Sequence, residues 1–455
     1  MAKEVRDPIH GLVVFEPQEW KVIDSRPFQR LRGIEQLAMT HLVYPGARHS
    51  RFEHCMGAGH VAGKLAKSLD LDAMRRGKVR LAALVHDIGH GPFSHVSEEI
   101  FEARTGRKHV HEAVSAAIVR HHAPIGDAMG DDTANWVAEL LSGQGHGSRR
   151  SVERDIVAGP SDVDKLDYLL RDSHFCGVKY GEYDLAKVVE SAREIMDPLA
   201  ADTFLGFSIE GTYALEEMLL ARYHMHRQVY GHRTRVATDR MLVRSMESAI
   251  ATNLLPSEIF TPPEEPDAIF VEEYISWDDN RVRQVICDSP DTPAGKVMTA
   301  LIERRLFKRV DEYDFPKLNA TFGQPGAGYI AQPDDAALRK ALPEAEAIVA
   351  TALGIEPYWV SLHWQHIVSP ISGRFSFKVE GSRILIADEE GKHQTFDQAS
   401  EVFGDTELPG QIRISLYAKL EDGQSSKDLP KERMTRIRDA FKEALAMVGR
   451  AAAQA

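Results

Sequence analysis

An apolar segment that ends in two adjacent polar residues constrains this sequence more than any other feature. Apolar residues run from Leu81 to Val85, His86-Asp87 follows them, and Gly91-Pro92 comes soon after. The apolar run is typical of a buried helix, and Gly-Pro ends helices. Because a buried imidazole or carboxylate needs a partner, we expect His86 and Asp87 to face a metal ion or other polar groups at the end of this helix.

Two more residues, His54 and Asp164, complete a candidate metal site that draws on three separated helical segments. Imidazole nitrogens and carboxylate oxygens suit manganese, iron, zinc or magnesium, and they leave coordination positions open for substrate. The cysteines are spaced too widely for a paired-cysteine clamp or a disulfide framework: Cys55, Cys176 and Cys287. Each ligand alone has an ordinary alternative, since a lone histidine is usually a core or surface group, so the combination carries the prediction.

The segment 162–172 adds a polar face to this site. At about 100° per residue, four side chains fall within about a third of a turn of one helix; they are Asp164, Lys165, Tyr168 and Asp172. The alternative is a solvated charged face, which fits poorly with the neighbouring leucines. A later helix carries a second stripe, for which a solvated face is also the usual alternative: Arg222, His226, Tyr230 and Arg233. Arginines on such a stripe would bind phosphate oxygens, and a tyrosine would contact a sugar.

Five motifs that recur in order give the chain a resemblance to a known family. They are Asp7-Pro8-Ile9-His10-Gly11, Phe28-Gln29-Arg30-Leu31-Arg32, Arg51-Phe52-Glu53-His54, the stretch from His86 to His95, and Asp162-Val163-Asp164-Lys165. Together they resemble the HD-domain deoxynucleoside triphosphate triphosphohydrolases, from about residue 3 to about residue 310. The expected reaction is metal-dependent hydrolysis to a deoxynucleoside and inorganic triphosphate.

The resemblance implies a role for each matched residue. It makes His54, His86, Asp87 and Asp164 the ligands of a divalent metal such as Mn, Mg or Fe. It makes His95 and His111 the acid and base candidates, oriented by Glu98, with His90 holding a phosphate or a carboxylate beside the metal. The triphosphate would be held by Arg51, Lys165 and Arg222, and the sugar and base would be surrounded by Gln36, Leu37, Tyr168, Asp172 and Tyr230.

Tyr230 is the residue that the resemblance connects with deoxyribose, because a ring packed under the sugar leaves no room for a 2′-hydroxyl. The resemblance also implies a homo-oligomer, a dimer or tetramer, with an activating nucleotide bound at its interface. Asp24, Gln29 and Arg32 match such an activator site, although Arg6 replaces a small polar residue there. The alternative for Asp24 and Arg32 is an ordinary salt bridge, either within a helix or between subunits.

Two other functions remain open on the sequence. One is an HD phosphohydrolase that acts on another nucleotide, either a monophosphate or a signalling nucleotide. The other, from a different class, is a nucleotide-gated sensor that binds single-stranded nucleic acid with little turnover. The net charge of −13 disfavours a general nucleic-acid coat and fits small phosphorylated ligands better. Turnover of ribonucleotides, or salt-sensitive binding of oligonucleotides, would distinguish these functions from the leading one.

The texture of the sequence predicts a mainly α fold, in which a helical HD-domain core carries a smaller C-terminal α+β lobe. Residues 1–260 form the core, 261–314 a linker with helices that pack on it, and 315–455 the mixed lobe. Helical periodicity runs from about 17 to 250 and from Arg281 to Val310, where Arg304, Arg305, Lys308 and Arg309 form a basic cluster. Strands are predicted near Arg374–Val379, Arg383–Ile386 and Gln411–Tyr417, and a final helix from Lys431 to about Val448.

Length, composition and the first residues predict where such a chain works. Its 455 residues exceed the comfortable size of a single core, and 43% hydrophobic residues is normal for a globular enzyme. No run of residues is apolar enough to span a membrane, and the chain does not begin with a signal peptide. With only three cysteines, we expect a cytoplasmic enzyme.

Overall fold

A computed structural model of the chain describes residues 2–145, 150–196, 202–367, 384–388, 392–403 and 411–454. Helices dominate these described residues, and three small sheets accompany them there. The predicted fold class, mainly α with a smaller α+β region at the C-terminal end, is confirmed. Within the ranges that the structure describes, no helix combines the length and the apolar character needed to cross a bilayer.

The helices are numbered in chain order. The first eleven are α1 Pro17–Ile23, α2 Arg26–Arg30, α3 Arg51–Ser68, α4 Ala73–Val85, α5 His95–Thr105, α6 Val110–His121, α7 Ala123–Met129, α8 Asp131–Ser142, α9 Val152–Ala158, α10 Val163–Cys176 and α11 Leu185–Ser191. The others are α12 Thr212–Met225, α13 Arg233–Ala251, α14 Ala268–Tyr274, α15 Asp279–Cys287, α16 Pro293–Ile302, α17 Phe315–Phe322, α18 Gly326–Ala331, α19 Asp335–Leu353, α20 Phe396–Ala399 and α21 Lys431–Gln454.

The strands form three separate sheets. They are β1 Lys3–Asp7, β2 Gly11–Phe15, β3 Ala192–Met196, β4 Thr203–Ser208, β5 Lys308–Asp314, β6 Val360–Ile367, β7 Leu385–Ala387, β8 His393–Thr395 and β9 Gln411–Ala418. The first two strands are an antiparallel hairpin, and the second sheet has the order β3-β4-β7-β8. In the third sheet β9 lies between β5 and β6 and is antiparallel to both.

Two hydrophobic cores organise these elements. The larger one gathers buried residues from Val13 to Phe307 and reaches into the C-terminal region at Trp359, Ile386 and Tyr417. The smaller core lies between the third sheet and the helices α17 to α19 and α21. The division into the ranges 1–260, 261–314 and 315–455 stays a prediction.

Several boundaries differ from those that the sequence predicts. The region 17–250 is not wholly helical, because the hairpin of β3 and β4 interrupts it. The helix predicted from Arg281 to Val310 ends as α16 at Ile302; Arg304 has a left-handed φ of 60°, and Lys308 and Arg309 belong to β5. The basic cluster is therefore not helical, since pairing with β9 decides the conformation there.

In the C-terminal region, the strand predicted at Gln411–Tyr417 is present as β9, and the one near Ile384–Ile386 as β7. The predicted strand Arg374–Val379 lies outside the described residues, as does Arg383. The final helix begins at Lys431 as predicted, but it continues to Gln454 rather than ending near Val448. Alanine is the best helix former, and the sequence after Val448 is rich in it.

Candidate metal centre and nucleotide site

Three helix ends bring the predicted metal ligands together. Helix α3 begins at a capping box in which Ser50 and Glu53 satisfy each other's backbone N–H groups, and His54 lies in its first turn. Helix α4 ends at Val85, so His86 stands at the point where the helix stops. Helix α10 begins with Asp162 as its N-cap, because the side chain accepts a hydrogen bond from the N–H of Lys165, and it presents Asp164 in its first turn.

The four side chains converge on one point. His54, His86, Asp87 and Asp164 each offer one ligand atom, and these atoms all lie within 4.8 Å of one another. The Nε2 atom of His54 is 3.1 Å from Oδ1 of Asp164, and the Nε2 atom of His86 is 3.4 Å from Oδ1 of Asp87. This cluster could bind a divalent metal ion.

The tautomers of the two histidines fit a metal. The Nδ1 atom of His54 lies 2.9 Å from Oδ2 of Asp167, and Nδ1 of His86 lies 2.8 Å from the carbonyl oxygen of Ala83. Each Nδ1–H is therefore the donor, and each Nε2 lone pair faces the cluster. Both Nε2 atoms are buried without a hydrogen-bond partner in the described part of the chain, as expected of atoms whose partner is an ion.

The charges in the cluster support each other. Burial lowers the pKa of His54, but the carboxylates of Asp164, Asp167 and Asp87 outweigh burial and raise this pKa well above its usual value. Burial raises the pKa of Asp87, yet His86, Arg51 and His90 hold it well below the usual range. The negative carboxylates that stabilise a proton on His54 also favour the binding of a divalent cation.

A carboxylate that the sequence analysis missed, Asp167, supports this site from behind. Besides His54, it accepts hydrogen bonds from Nε2 of His10 at 2.6 Å and from Nε and Nη2 of Arg171 at 2.8 and 2.9 Å. The guanidinium of Arg171 also lies 2.9 Å from Asp7. The Asp7-Pro8-Ile9-His10 motif was the signal that could have revealed this network.

The close packing behind the metal ligands depends on a glycine of α3. A Cβ atom at Gly57 would lie 1.9 Å from Oδ1 of Asp167 and 2.3 Å from Nη2 of Arg171. Only glycine allows the backbone of α3 to approach this ion pair so closely. Through the ion pair of Arg171 with Asp7, the same network reaches the N-terminal hairpin of β1 and β2.

The predicted acid–base residues lie beside the metal cluster. The rings of His90 and His111 stack with centroids 3.9 Å apart, and the ring of His95 meets His90 edge-on at 5.7 Å. Nε2 of His90 lies 3.4 Å from Oδ1 of Asp87. Glu98 accepts hydrogen bonds from the N–H groups of Val110 and His111, and Nδ1 of His111 lies 3.0 Å from its Oε2 atom.

Two of these histidines have opposite pKa shifts. Burial lowers the pKa of His111, but Glu98 outweighs burial and raises this pKa above its usual value. Burial and the charges of Arg51, Arg235 and His111 lower the pKa of His95 to about 4. At neutral pH, His111 therefore holds a proton more readily than His95 does.

The predicted phosphate-binding residues differ in their surroundings. Arg51 is buried; its Nε donates to Oγ of Ser94 at 2.8 Å and its Nη1 to Asp87, while its Nη2 has no hydrogen-bond partner among the described residues. Nζ of Lys165 donates instead to Asp162 at 2.5 Å and to the carbonyl of Gly159 at 3.2 Å. Burial raises the pKa of Tyr168, and the charge of the nearby Arg222 opposes this rise without cancelling it.

Two of the predicted sugar and base contacts, Tyr168 and Tyr230, lie near Asp172. Its Oδ2 accepts a hydrogen bond from the hydroxyl of Tyr230 at 2.6 Å, and its Oδ1 lies 2.7 Å from Nε2 of the buried His49, a residue that the sequence analysis missed. The rings of Tyr168 and Tyr230 are 6.4 Å apart and meet edge-on. Gln36 and Leu37 are buried, and Oε1 of Gln36 has no partner within the described ranges.

The single stripe predicted for Arg222, His226, Tyr230 and Arg233 is wrong at its end. Helix α12 stops at Met225, a π-helical turn covers His226–Tyr230, and Arg233 begins the separate helix α13. Gly231 and His232 break the helical phase between Tyr230 and Arg233. Arg233 lines a different cavity of about 670 Å³, together with Arg304, Lys308, Arg309 and Lys427.

Two of the predicted activator residues, Asp24 and Arg32, form no salt bridge with each other within the described chain, and a bridge to another subunit stays a prediction. Asp24 lies 3.5 Å from Nζ of Lys3, whereas Nε of Arg32 donates to Oε1 of Gln29 at 2.9 Å. Asp24 lines a shallow cavity of about 520 Å³ with Lys3 and Trp20. The guanidinium of Arg32 lies over the ring of Phe52 at 3.5 Å. Their role as an activator site stays a prediction.

Comparisons with protein families match two consecutive regions. The model of the HD domain matches residues 51–172, which contain all four candidate metal ligands. A model described as an HD associated region matches residues 192–357.

Curated relatives are similar over more than half of the chain. An uncharacterized protein of Methanocaldococcus jannaschii is 34% identical over 244 residues, 54% of this chain and 49% of the relative. A protein of Dictyostelium discoideum, named deoxynucleoside triphosphate triphosphohydrolase SAMHD1 homolog, is 31% identical over 328 residues, 68% of this chain and 60% of the relative. The chain thus spans about half the length of these first two relatives.

Solved structures share the fold. The crystal structure of a phosphohydrolase from Bacteroides thetaiotaomicron has a TM-score of 0.70 at 24% identity, over 92% of this chain and 100% of that one. A hypothetical protein from Aquifex aeolicus has a TM-score of 0.69 at 22% identity, over 96% and 100% of the two chains. At these identities the likeness concerns the fold alone.

Proposed function

Because this chain carries an HD domain followed by its associated region and is homologous to deoxynucleoside triphosphate triphosphohydrolases of the SAMHD1 type, we propose that it hydrolyses deoxynucleoside triphosphates to a deoxynucleoside and inorganic triphosphate. Water supplies the hydroxyl group that the triphosphate gains, and the bond between the α-phosphorus and the 5′-oxygen breaks. The 5′-oxygen leaves with a proton.

One observation carries this proposal: buried polar atoms of three kinds, on the metal cluster, on Arg51 and on the segment paired with Arg51, have no hydrogen-bond partner among the described residues. The Nε2 atoms of His54 and His86 face the cluster that could hold a cation. Nη2 of Arg51, whose Nη1 donates to Asp87, is a cationic donor without a hydrogen-bond partner among the described residues. Oε1 of Gln36 is an acceptor that no described residue satisfies, and it lies on the segment whose Ile34 carbonyl accepts the N–H of Arg51. A metal-bound polyphosphate with a polar base satisfies all three requirements at once.

His54, His86, Asp87 and Asp164 would hold a divalent ion, which would act as a Lewis acid, lower the pKa of water and neutralise phosphoryl charge. The residues of the chain do the rest. Arg51 and Arg222 hold phosphoryl oxygens. Nη2 of Arg51 can donate to phosphate while its Nε and Nη1 keep their hydrogen bonds to Ser94 and Asp87. Lys165 joins them once its Nζ leaves Asp162.

His111 is suited to protonate the leaving 5′-oxygen. The carboxylate of Glu98 lies 3.0 Å from Nδ1 of His111 and outweighs burial to raise its pKa, which favours the imidazolium form, whose Nε2 can donate a proton. His90 stacks on this ring and fixes its plane. His95, with a pKa of about 4 in the free protein, is neutral and serves as a hydrogen-bonding partner of the phosphate.

Tyr230 and Asp172 would select deoxyribose. The hydroxyl of Tyr230 is tied to Asp172, so the ring cannot turn away from a sugar that lies against it. A 2′-hydroxyl would then meet the ring without a partner. The other oxygen of Asp172 is held by His49, whose ring stacks on Phe175 at 4.7 Å. This arrangement fixes the carboxylate for contact with a sugar hydroxyl.

The proposal includes activation by a nucleotide at an interface of a dimer or tetramer, with Asp24, Gln29 and Arg32 at the activator site. Turnover of a single deoxynucleoside triphosphate should then rise when a second nucleotide is added. The molar mass of the protein, measured by light scattering, should rise with it. A mass that does not respond to nucleotides would contradict this part alone.

The test of the activity uses protein purified with manganese and each of the four deoxynucleoside triphosphates, singly and mixed, with products identified by chromatography. The control is the double variant His86→Ala/Asp87→Ala. Deoxynucleoside and triphosphate in equal amounts, absent in the control, support the proposal. Faster turnover of ribonucleotides or of monophosphates would replace it by another nucleotide hydrolase.

A protein without turnover that binds oligonucleotides, with an affinity that falls steeply as salt rises, would instead be a sensor. This outcome would reject the proposed reaction and leave the metal centre as a binding site.

A further inference from the structure

The loop that leads from the HD pair to His95 has an unusual backbone. Phe93 and Ser94 are consecutive residues with left-handed φ angles of 61° and 55°, and neither is glycine. A residue with a side chain is strained in such a conformation, so the surrounding structure must hold it. Strain of this kind is kept at sites where it orients functional groups.

The carboxylate of Asp279 holds this loop. Its Oδ1 atom accepts a hydrogen bond from the N–H of Phe93 at 2.6 Å, and its Oδ2 atom accepts one from the N–H of Glu35 at 3.0 Å. Asp279 is the first residue of α15, lies in the HD associated region, and has only 2% of its surface exposed. One buried side chain thus connects two segments that are far apart in sequence.

The two connected segments meet in the nucleotide site. Oγ of Ser94 donates to the carbonyl of Glu35 at 2.7 Å and accepts from Nε of Arg51 at 2.8 Å. Glu35 precedes Gln36, and Ser94 precedes His95. The bonds from Asp279 therefore set the place of Arg51 and of the residues that follow each segment.

Neighbouring contacts hold the same loop. The hydroxyl of Tyr274 donates to the carbonyl of Gly89 at 2.7 Å. Nε of Arg30 donates to the carbonyl of Trp277 at 2.7 Å, and its Nη2 donates to the carbonyl of His90 at 2.9 Å. The segment 274–279 thus supports the loop from Gly89 to Phe93. Among the described hydrogen bonds of this segment, only the side chain of Asp279 binds both this loop, at Phe93, and the other segment, at Glu35.

A buried carboxylate whose hydrogen bonds come from two backbone N–H groups is costly to keep. Burial raises the pKa of Asp279 to about 7, with the two N–H groups opposing the rise. An amide in its place would carry no charge to bury, but its oxygen could accept from only one of the two N–H groups and its NH₂ would point at the other.

We propose that Asp279 is a positioning residue of the hydrolytic site, which acts by tying the Phe93-Ser94 turn to Glu35 and thereby orienting Arg51 and His95. The proposal rests on the proposed function for its effect on turnover. The tie itself is independent of the substrate.

The test compares Asp279→Asn with the matched control Asp278→Asn in the full chain loaded with manganese. Asp278 is the adjacent residue and the N-cap of the same helix, and its carboxylate accepts only from the N–H of Arg281 at 2.9 Å among the hydrogen bonds described. Amide hydrogen exchange at Glu35 and Phe93 is measured without substrate, and kcat and KM are measured with a deoxynucleoside triphosphate.

For Asp279→Asn we expect faster exchange at one or both amides and a kcat that falls about 10- to 100-fold because His95 is misplaced. KM should rise less than about 10-fold, because Arg51 is displaced but keeps its charge. The control should match the wild type within about 2-fold. Unchanged exchange at both amides, or faster exchange with an unchanged kcat, would overturn the proposal.

A wild-type protein without turnover would reject the proposed function, whereas the exchange experiment would still decide whether Asp279 makes the tie. If Asp279→Asn does not fold, Asp279→Glu keeps the charge and shifts it by one methylene, and an intermediate kcat is then expected. If neither variant folds, Asp279 serves the fold as a whole and the positioning role is rejected.

Discussion

The Nδ1 atom of His54 lies 2.9 Å from Oδ2 of Asp167, and this contact decides which nitrogen of His54 faces the candidate metal. Asp167 is fully buried and is itself held by His10 and Arg171. The histidine is thereby fixed in tautomer and in ring orientation before any ion binds. The relationship links the N-terminal hairpin to the chemistry of the site.

Replacement of Asp167 by Asn should weaken metal binding. The amide can still accept one hydrogen bond, but it no longer fixes the Nδ1–H tautomer of His54, and we expect a loss of about 10- to 100-fold in metal affinity. Titration of the metal-free protein with manganese measures the affinity. Asp184→Asn, at an exposed helix cap that accepts from the N–H of Lys187, is the control. An affinity equal to that of the wild type would contradict the prediction.

Replacement of Arg51 by Lys should weaken substrate binding while leaving the metal bound. Lysine lacks the planar fork that serves Ser94, Asp87 and a phosphate together. Loss of a charge-assisted hydrogen bond predicts a rise in KM of about 10- to 100-fold. Arg48→Lys, an exposed arginine 3.1 Å from Glu35, is the matched control. Metal content is measured in parallel, and its loss would show that Arg51 supports the ion rather than the substrate.

Replacement of Tyr230 by Ala should relax the preference for deoxyribose. Removal of the ring opens space beside Asp172, where a 2′-hydroxyl then finds an acceptor. The ratio of kcat/KM for a deoxynucleoside triphosphate to that for its ribonucleotide should fall about 10- to 100-fold. Competition of the two nucleotides in one reaction gives this ratio directly. A ratio that stays constant while both rates fall would assign Tyr230 to general packing.

Stability should depend on pH through Asp279. Folding raises its pKa to about 7, from about 3.9 in the unfolded chain. The folded chain then binds the proton more tightly, so the contribution of Asp279 to the free energy of unfolding is greatest below about pH 4 and is lost as the pH rises to about 7.

Asp279→Asn lacks this contribution, and the stability of the wild type relative to the variant should fall with rising pH, by up to about 4 kcal/mol across the whole window. Urea unfolding at pH 5, 6, 7 and 8 measures the difference. Parallel curves for the two proteins would contradict the shifted pKa; Glu35, which raises it, and Arg283, which lowers it, are present in both.

Some structural features could be predicted from the sequence because they depend on local patterns. The apolar run before His86 is a buried helix end, and Asp162 caps the helix that carries Asp164. The strand at β9 follows an alternating pattern, whereas β5 does not stand out from the helical residues before it, since its pairing with β9 comes from a distant segment. The break between Tyr230 and Arg233 depends on a π-helical turn that residue spacing does not reveal.

The sequence by itself determined the kinds of donor atom present, the helices that carry them, and through its motifs the family that the chain resembles. Only the tertiary structure decided that His10 and Asp167 stand behind His54, that His49 holds Asp172, and that Asp279 ties Phe93 to Glu35. The physical reason is that side-chain chemistry and helix propensity act over a few residues, whereas a hydrogen bond between distant segments exists only where packing brings both atoms within about 3 Å.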